Sequence, residues 1–326
     1  MKWRILAVLL IATSSLSAQA RQPRLLAVSN ETSRDVMLLD AMTGRVVATI
    51  PTRERPRGIH ATADGKRVYV ALSDDFPNIA TGRDAIGAID VARRQLVARL
   101  PGGTDPEQFA ITPDGRRLYA SNEDAGTAAA LDLRTGRTLA TLVVGIEPEG
   151  VAASPDGRWV YVTSETSNSV SVIDTKRDSV VSNFLADLRP RAAAWSPDGS
   201  RVYVTNEISG TLDVIDGRKH ELLTSVPVDG GVGRPVGVVV SPDGRTVYVT
   251  NGRTNRVCVI DARTLKQTMV IPVGRRPWNL ALTNDGRWLF TANGLSDDVS
   301  VIDLSLGRVV KTYKVGKKPW GVALVY

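Results

Sequence analysis

Histidine and cysteine are nearly missing from this chain of 326 residues, which holds only His60, His220 and Cys258 of those two types. Two histidines, one of them in a turn expected on the far side of the molecule, make neither a zinc cluster nor a base–nucleophile pair. One cysteine excludes an internal disulfide and also covalent haem attachment through Cys-x-x-Cys-His. There is no Gly-x-Ser-x-Gly elbow and no phosphate-cradling Gly-Lys loop. Stability must then come from packing, and Cys258, inside Val257-Cys258-Val259-Ile260, reads as a small strand side chain.

The first twenty residues stand apart. Lys2 and Arg4 precede an apolar run from Ile5 to Ala12, and a small, polar stretch ends in Ala18-Gln19-Ala20. This is the three-part plan of a secretory leader with cleavage expected after Ala20, and its apolar run is too short to span a bilayer. The expected division is a signal peptide at 1–20 and one domain at 21–326, periplasmic, monomeric and without a membrane anchor. Without Lys2 and Arg4, 39 basic side chains face 34 acidic ones. That modest excess selects no partner class by itself.

What is present is a repeat. An Ile-Asp or Leu-Asp pair closes a short alternating run at Asp40, Asp90, Asp132, Asp174, Asp216, Asp261 and Asp303. A proline ladder keeps the same step at Pro56, Pro106, Pro148, Pro190, Pro235, Pro277 and Pro319. Strand-type repeats of roughly 40–45 residues mark four-stranded blades around an axis, so the fold class is all-β, a seven-bladed β-propeller of antiparallel blades. Within one repeat, Arg191 to Trp195 is a first strand, Ser196-Pro197-Asp198-Gly199 a turn, Arg201 to Asn206 a second strand, Thr211 to Asp216 a third and Leu222 to Val228 a fourth. Proline presets φ near −65° and glycine accepts the left-handed conformation that the turn requires. The repeated aspartates read as caps of the following turn rather than as ligands. His60 stands where other repeats place alanine, and reads as packed or channel-lining.

The first repeat begins at Arg24 with a second-type strand, while Pro319 to Tyr326 reads as a lone first strand. The C-terminal segment is therefore expected to complete the N-terminal blade and close the ring.

Tyr161-Val162-Thr163-Ser164, Tyr203-Val204-Thr205-Asn206 and Tyr248-Val249-Thr250-Asn251 resemble the signature of the YVTN family of β-propellers. Tyr69, Tyr119 and Phe290 keep the aromatic, Ala27 departs from it, and Leu72 replaces the final Asn. With a leader in front, the chain is most similar to the subfamily found beside pyrroloquinoline-quinone (PQQ) dependent dehydrogenases. The resemblance implies a PQQ-linked setting and no reaction.

Loops entering each first strand share one rim with the loops between second and third strands, and converge on the axis. In ring order the residues flanking the prolines are Arg55 and Arg57, Asp105 and Glu107, Glu147 and Glu149, Arg189 and Arg191, Arg234 and Val236, Arg276 and Trp278, Lys318 and Trp320. Glu123 and Glu165 reinforce the acidic part. A rim divided into acidic, basic and aromatic sectors suits an asymmetric partner, although opposite charges pairing across blades would also explain it. The second repeat is longer on the same rim, where its extra chain, at 74–83, includes Asp74, Asp75, Phe76, Pro77, Asn78 and Arg83.

The expected function is a non-catalytic binding or scaffold ring, with no cofactor and no metal, that takes a protein partner or small ligand on this rim in support of a PQQ-dependent dehydrogenase system. Two alternatives remain. A metal-assisted lactonase would use Asp105, Glu107, Glu147 and Glu149 around a hard cation. Single-stranded nucleic acid would use the rim arginines with Trp278 and Trp320, and is disfavoured by the acidic neighbours and by export.

Overall fold

The computed structural model describes residues 22–76 and 81–326; the segment expected to be a leader and part of the long loop of the second repeat lie outside the described residues. Seven sheets of four antiparallel strands make a seven-bladed propeller. Among the described residues the single helical turn is Asp229–Gly231. In each blade the first strand is innermost, and first strands of neighbouring blades touch around the whole circle.

The strands form where alternation places branched and aromatic residues on both faces, because each sheet is covered by a neighbour on either side. The strand Arg201–Asn206 is buried at five of six positions, whereas the outermost strand of the same blade, Glu221–Pro227, is mostly exposed. The apolar core is consequently annular. Leu38 and Ile50 of the first blade meet Ile59, Val68 and Leu72 of the second, and the same arrangement recurs at every junction. In the inner strands Ile59, Phe109 and Leu280 face the neighbouring sheets.

The turns act as the sequence implies. Asp132 accepts the N–H groups of Arg134 at 2.9 Å and Thr135 at 2.7 Å, and the same device recurs at Asp40, Asp216 and Asp261. These bonds hold the carboxyls below their ordinary range. In the other turn series Ser196 and the N–H of Ser200 bond Asp198, and its pKa falls to about 2. Gly199 follows at φ 68.

Closure is the remaining requirement. The strand Pro319–Val325 pairs with Leu25–Asn30 in the register Leu25↔Val325 to Ser29↔Gly321. Val322 also joins Leu26, Leu39, Phe290 and Val299 in the core between the last blade and the first. Cys258 is fully buried, and burial pushes its thiol up to about 12. Deleting Pro319 to Tyr326 removes the buried Trp320, Val322 and Val325 at roughly 1.5–3 kcal/mol each. It should lower Tm by about 10 °C or more; an unchanged melting curve would refute closure by this strand.

Candidate functional site

The rim residues are positioned by a recurring hydroxyl. Ser29, Ser121, Thr163, Thr205 and Thr250, each near the end of a second strand, donate to the carbonyls of Arg57, Glu149, Arg191, Val236 and Trp278 in the next blade, at 2.6–2.9 Å. In the longer second repeat Ser73 bonds the carbonyl of Pro106 instead, at 2.9 Å. Each such bond fixes the inner-strand residue whose side chain lies at the axial end. The residue before the proline takes positive φ at Asp105, Glu147, Arg189, Arg276 and Lys318, which turns the chain sharply into the inner strand.

Charges from different sectors meet as ion pairs. Arg57 pairs with Glu107 and lies 3.8 Å from Glu123. Arg191 contacts Glu149 at 2.9 Å, pairs with Glu165 and lies 3.8 Å from Glu207. Arg189 reaches Glu165 at 2.7 Å, and Arg276 reaches Glu207 at 3.0 Å. Arg55 contacts Asp105 at 3.3 Å and Glu31 at 3.6 Å, and Lys318 holds Glu31 at 2.8 Å. The guanidinium of Arg276 lies 4.4 Å from the ring centre of Trp278, which stacks on Trp320 at 6.4 Å and 17°. The acidic and basic sectors are therefore largely one another's partners. Arg234 is exposed and pairs with no carboxylate among the described residues, while Glu147 accepts a hydrogen bond from Thr166.

Glu31 and Glu207 were not singled out in the sequence, yet both are buried members of this belt. A signal was there: Glu31, Glu123, Glu165 and Glu207 each follow the last residue of a second strand. The longer loop of the second repeat braces Arg55, whose Nε donates to the Asp74 carbonyl at 2.8 Å, and Arg34 ties Asp75 to the first blade at 2.7 Å. His60 packs edge-on against Phe109, and burial drops its pKa to about 4. His220, on the opposite rim, bonds Tyr161 at 2.8 Å.

One carboxyl differs from the others. Glu123 keeps a quarter of its side chain exposed at the mouth, and its pKa is pushed up to about 7 by burial and by the charge of Glu149, against the opposing pull of Arg57. Below it, Gln108, Glu149, Arg191, Val236 and Trp320 enclose about 20 Å³, room for about one water. Larger grooves of about 490 and 690 Å³ lie at the opposite rim between capped turns, away from this belt.

Asp105, Glu107 and Glu123 each offer an oxygen within 4.8 Å of the others, a donor set that would suit a hard cation. The positive charge there already belongs to the chain, since Arg57 sits on Glu107 and beside Glu123 and Arg55 on Asp105. A metal would have to displace a guanidinium.

With this geometry in view, residues 181–320 match the family described as Lactonase, 7-bladed beta-propeller, and residues 71–188 match the Cytochrome D1 heme domain. Each match covers less than half of the chain. No curated protein matches it significantly. A functionally unknown protein from Desulfotomaculum acetoxidans is 21% identical, with TM-score 0.79 over 93% of this chain and 99% of that one. Kuenenia stuttgartiensis hydrazine synthase gives 21% and 0.76 over 90% and 99%, and a Bacteroides uniformis protein described as a 6-phosphogluconolactonase gives 20% and 0.77 over 93% and 100%. At these identities the likeness is one of fold.

The Lactonase match corrects the expectation of a non-catalytic ring. Paucity of histidine removed zinc and Ser–His chemistry, but not hydrolysis by carboxylate and guanidinium, so the step from few histidines to no enzyme was unsound. Haem fits the described residues poorly: the rim has no histidine, His60 is engaged with Gln108 and Phe109, and His220 is at the other end.

Arg191→Ala should destabilise the fold by about 3–5 kcal/mol, because Glu149, Glu165 and Glu207 would keep buried charge without this partner. Adding Glu165→Gln should recover part of the loss in chemical denaturation. An Arg191→Ala protein as stable as the parent would show that the belt contributes nothing.

Proposed function

We propose that the chain is a lactonase-type hydrolase whose working carboxyl is Glu123. The observation that carries this reading is a carboxyl poised near neutrality, partly open to solvent, beside the guanidinium of Arg57. The Lactonase family match supports the reaction class. A general base works best when its pKa lies near the operating pH.

Hydrolysis then needs no group beyond these side chains and water. Ionised Glu123 takes a proton from water as the water oxygen bonds to the lactone carbonyl carbon. Arg57 stabilises the negative charge that develops on the carbonyl oxygen. Collapse breaks the ring C–O bond, the Glu123 carboxyl returns the proton to the departing alkoxide, and the product is a hydroxy acid. The substrate sits at the mouth, above the narrow neck. Exposed Arg234, with Arg189 and Arg276 nearby in ring order, suits an anionic substituent, and part-exposed Trp278, backed by Trp320, offers a surface to a sugar-like ring. The Bacteroides uniformis protein is described as acting on a phosphorylated lactone, in keeping with that chemistry.

We extend the proposal to setting. The leader-like start supports export, and the YVTN resemblance supports a place near PQQ-linked oxidation. Oxidation of cyclic hemiacetals yields lactones, the class of compound this site would open.

On a sugar lactone, kcat/KM should rise with pH about a midpoint near 7, since only ionised Glu123 accepts the proton. Glu149→Gln should move that midpoint down, because the Glu149 charge helps to raise it. Glu123→Gln should cost roughly 10²–10⁴ in rate. Dialysis against a chelator should leave the rate unchanged. Full activity in Glu123→Gln, or a rate lost on chelation and restored by calcium, would overturn this mechanism.

A further inference from the structure

The large apolar side chains exposed in the loops are distributed unequally between the two rims. Phe76, Ile146, Leu188, Ile208, Val232 and Leu295 lie 49–61% exposed in the loops of the rim that carries the charged belt. Among the described residues, the turns of the opposite rim carry only Leu306. Scattered exposed leucines need no explanation, but six on one rim and one on the other do. The repeat gives no internal reason for them, because equivalent loop positions hold Thr32, Thr166, Arg253, Arg275 and Lys317.

Exposed charge on the same rim is weighted to the basic side. Arg53, Arg234, Arg253 and Arg275 are exposed and pair with no carboxylate among the described residues. Of the acids near them, Asp75 pairs with Arg34 and Asp297 with Lys317, while Glu147 accepts a hydrogen bond from Thr166 and keeps its charge. Glu107, Glu149, Glu165 and Glu207 are buried in the belt. What this rim presents outward is apolar tips interspersed with four unpaired guanidinium groups, against the part-exposed carboxyls of Glu123 and Glu147.

We propose that this rim docks face-down on an anionic lipid bilayer. The tips come from loops of the second, fifth and seventh blades and from the junctions between the third and fourth, fourth and fifth, and fifth and sixth. Tips spread this widely around the ring suit a broad surface, whereas a chain-like ligand would meet a few. Apolar side chains enter the boundary between headgroups and acyl chains while cations hold anionic headgroups, and the two contributions add. The charged mouth would then open toward the membrane surface. This inference does not depend on the hydrolase reading.

The test is flotation of the mature full-length protein with vesicles of phosphatidylcholine alone or with phosphatidylglycerol. The pair Leu188 and Ile208, joined by a backbone hydrogen bond of 3.2 Å, supplies one variant, Leu188→Ser with Ile208→Ser. The second variant is Arg253→Gln with Arg275→Gln. Neither touches the belt, so melting and hydrolysis of a soluble lactone should be unchanged. Binding should need phosphatidylglycerol, weaken with salt, and fall about tenfold in each variant. Absence of flotation with anionic vesicles would overturn the proposal. So would equal binding to both vesicle types, undiminished binding by the serine variant, or a rim that binds a protein partner and no vesicle.

Discussion

One buried hydroxyl near the end of a second strand, bonded to the inner-strand carbonyl of the next blade, sets the geometry of the functional rim. Propeller blades pack through apolar faces, which fix spacing but leave sliding along the axis weakly opposed. A directional bond at the rim end removes that freedom. It does so at Arg57, Glu149, Arg191, Val236 and Trp278, four of which form the charged and aromatic belt. Ala292 stands at the corresponding place in the seventh blade, and there the Trp278–Trp320 stack spans the junction.

Fixed in this way, the charges at the neck are buried and must be paired. Each carboxylate that lacked a guanidinium would carry a desolvation cost that the annular core would have to offset. The belt meets this requirement by pairing glutamates of one blade with arginines of another. Glu123 is the exception, held close to more acids than bases. Its pKa is raised in the fold, so its contribution to stability falls as pH rises from the ordinary glutamate range to about 7. A site that gives up some stability to keep a carboxyl protonatable is the kind expected of acid–base work.

The architecture was legible because each structural task recurs. Seven Asp-capped turns, a proline ladder and a missing first strand at the start of the repeats define blades and closure without reference to any single contact. The candidate rim was legible as a place, and the residues flanking the prolines do converge there. Their pairing was not, because which arginine meets which glutamate depends on loop path and on depth along the axis. Glu207 shows the limit: its place after a second strand recurs at Glu31, Glu123 and Glu165, but nothing in that recurrence says that it bridges Arg276 and Arg191. Function was misjudged for a related reason. The count of histidines is visible in sequence, but a carboxyl shifted by its neighbours is visible only once those neighbours are assembled.

The central claim is that burial among acids at the mouth keeps Glu123 titrating near neutrality. Carbon-detected NMR of the glutamate side-chain carboxyls across a pH series, with Glu123→Gln assigning the resonance, tests it directly. The account predicts a midpoint near 7 for Glu123, falling when Glu149 is replaced by Gln. A midpoint in the ordinary glutamate range near 4.5, indifferent to Glu149, would contradict it.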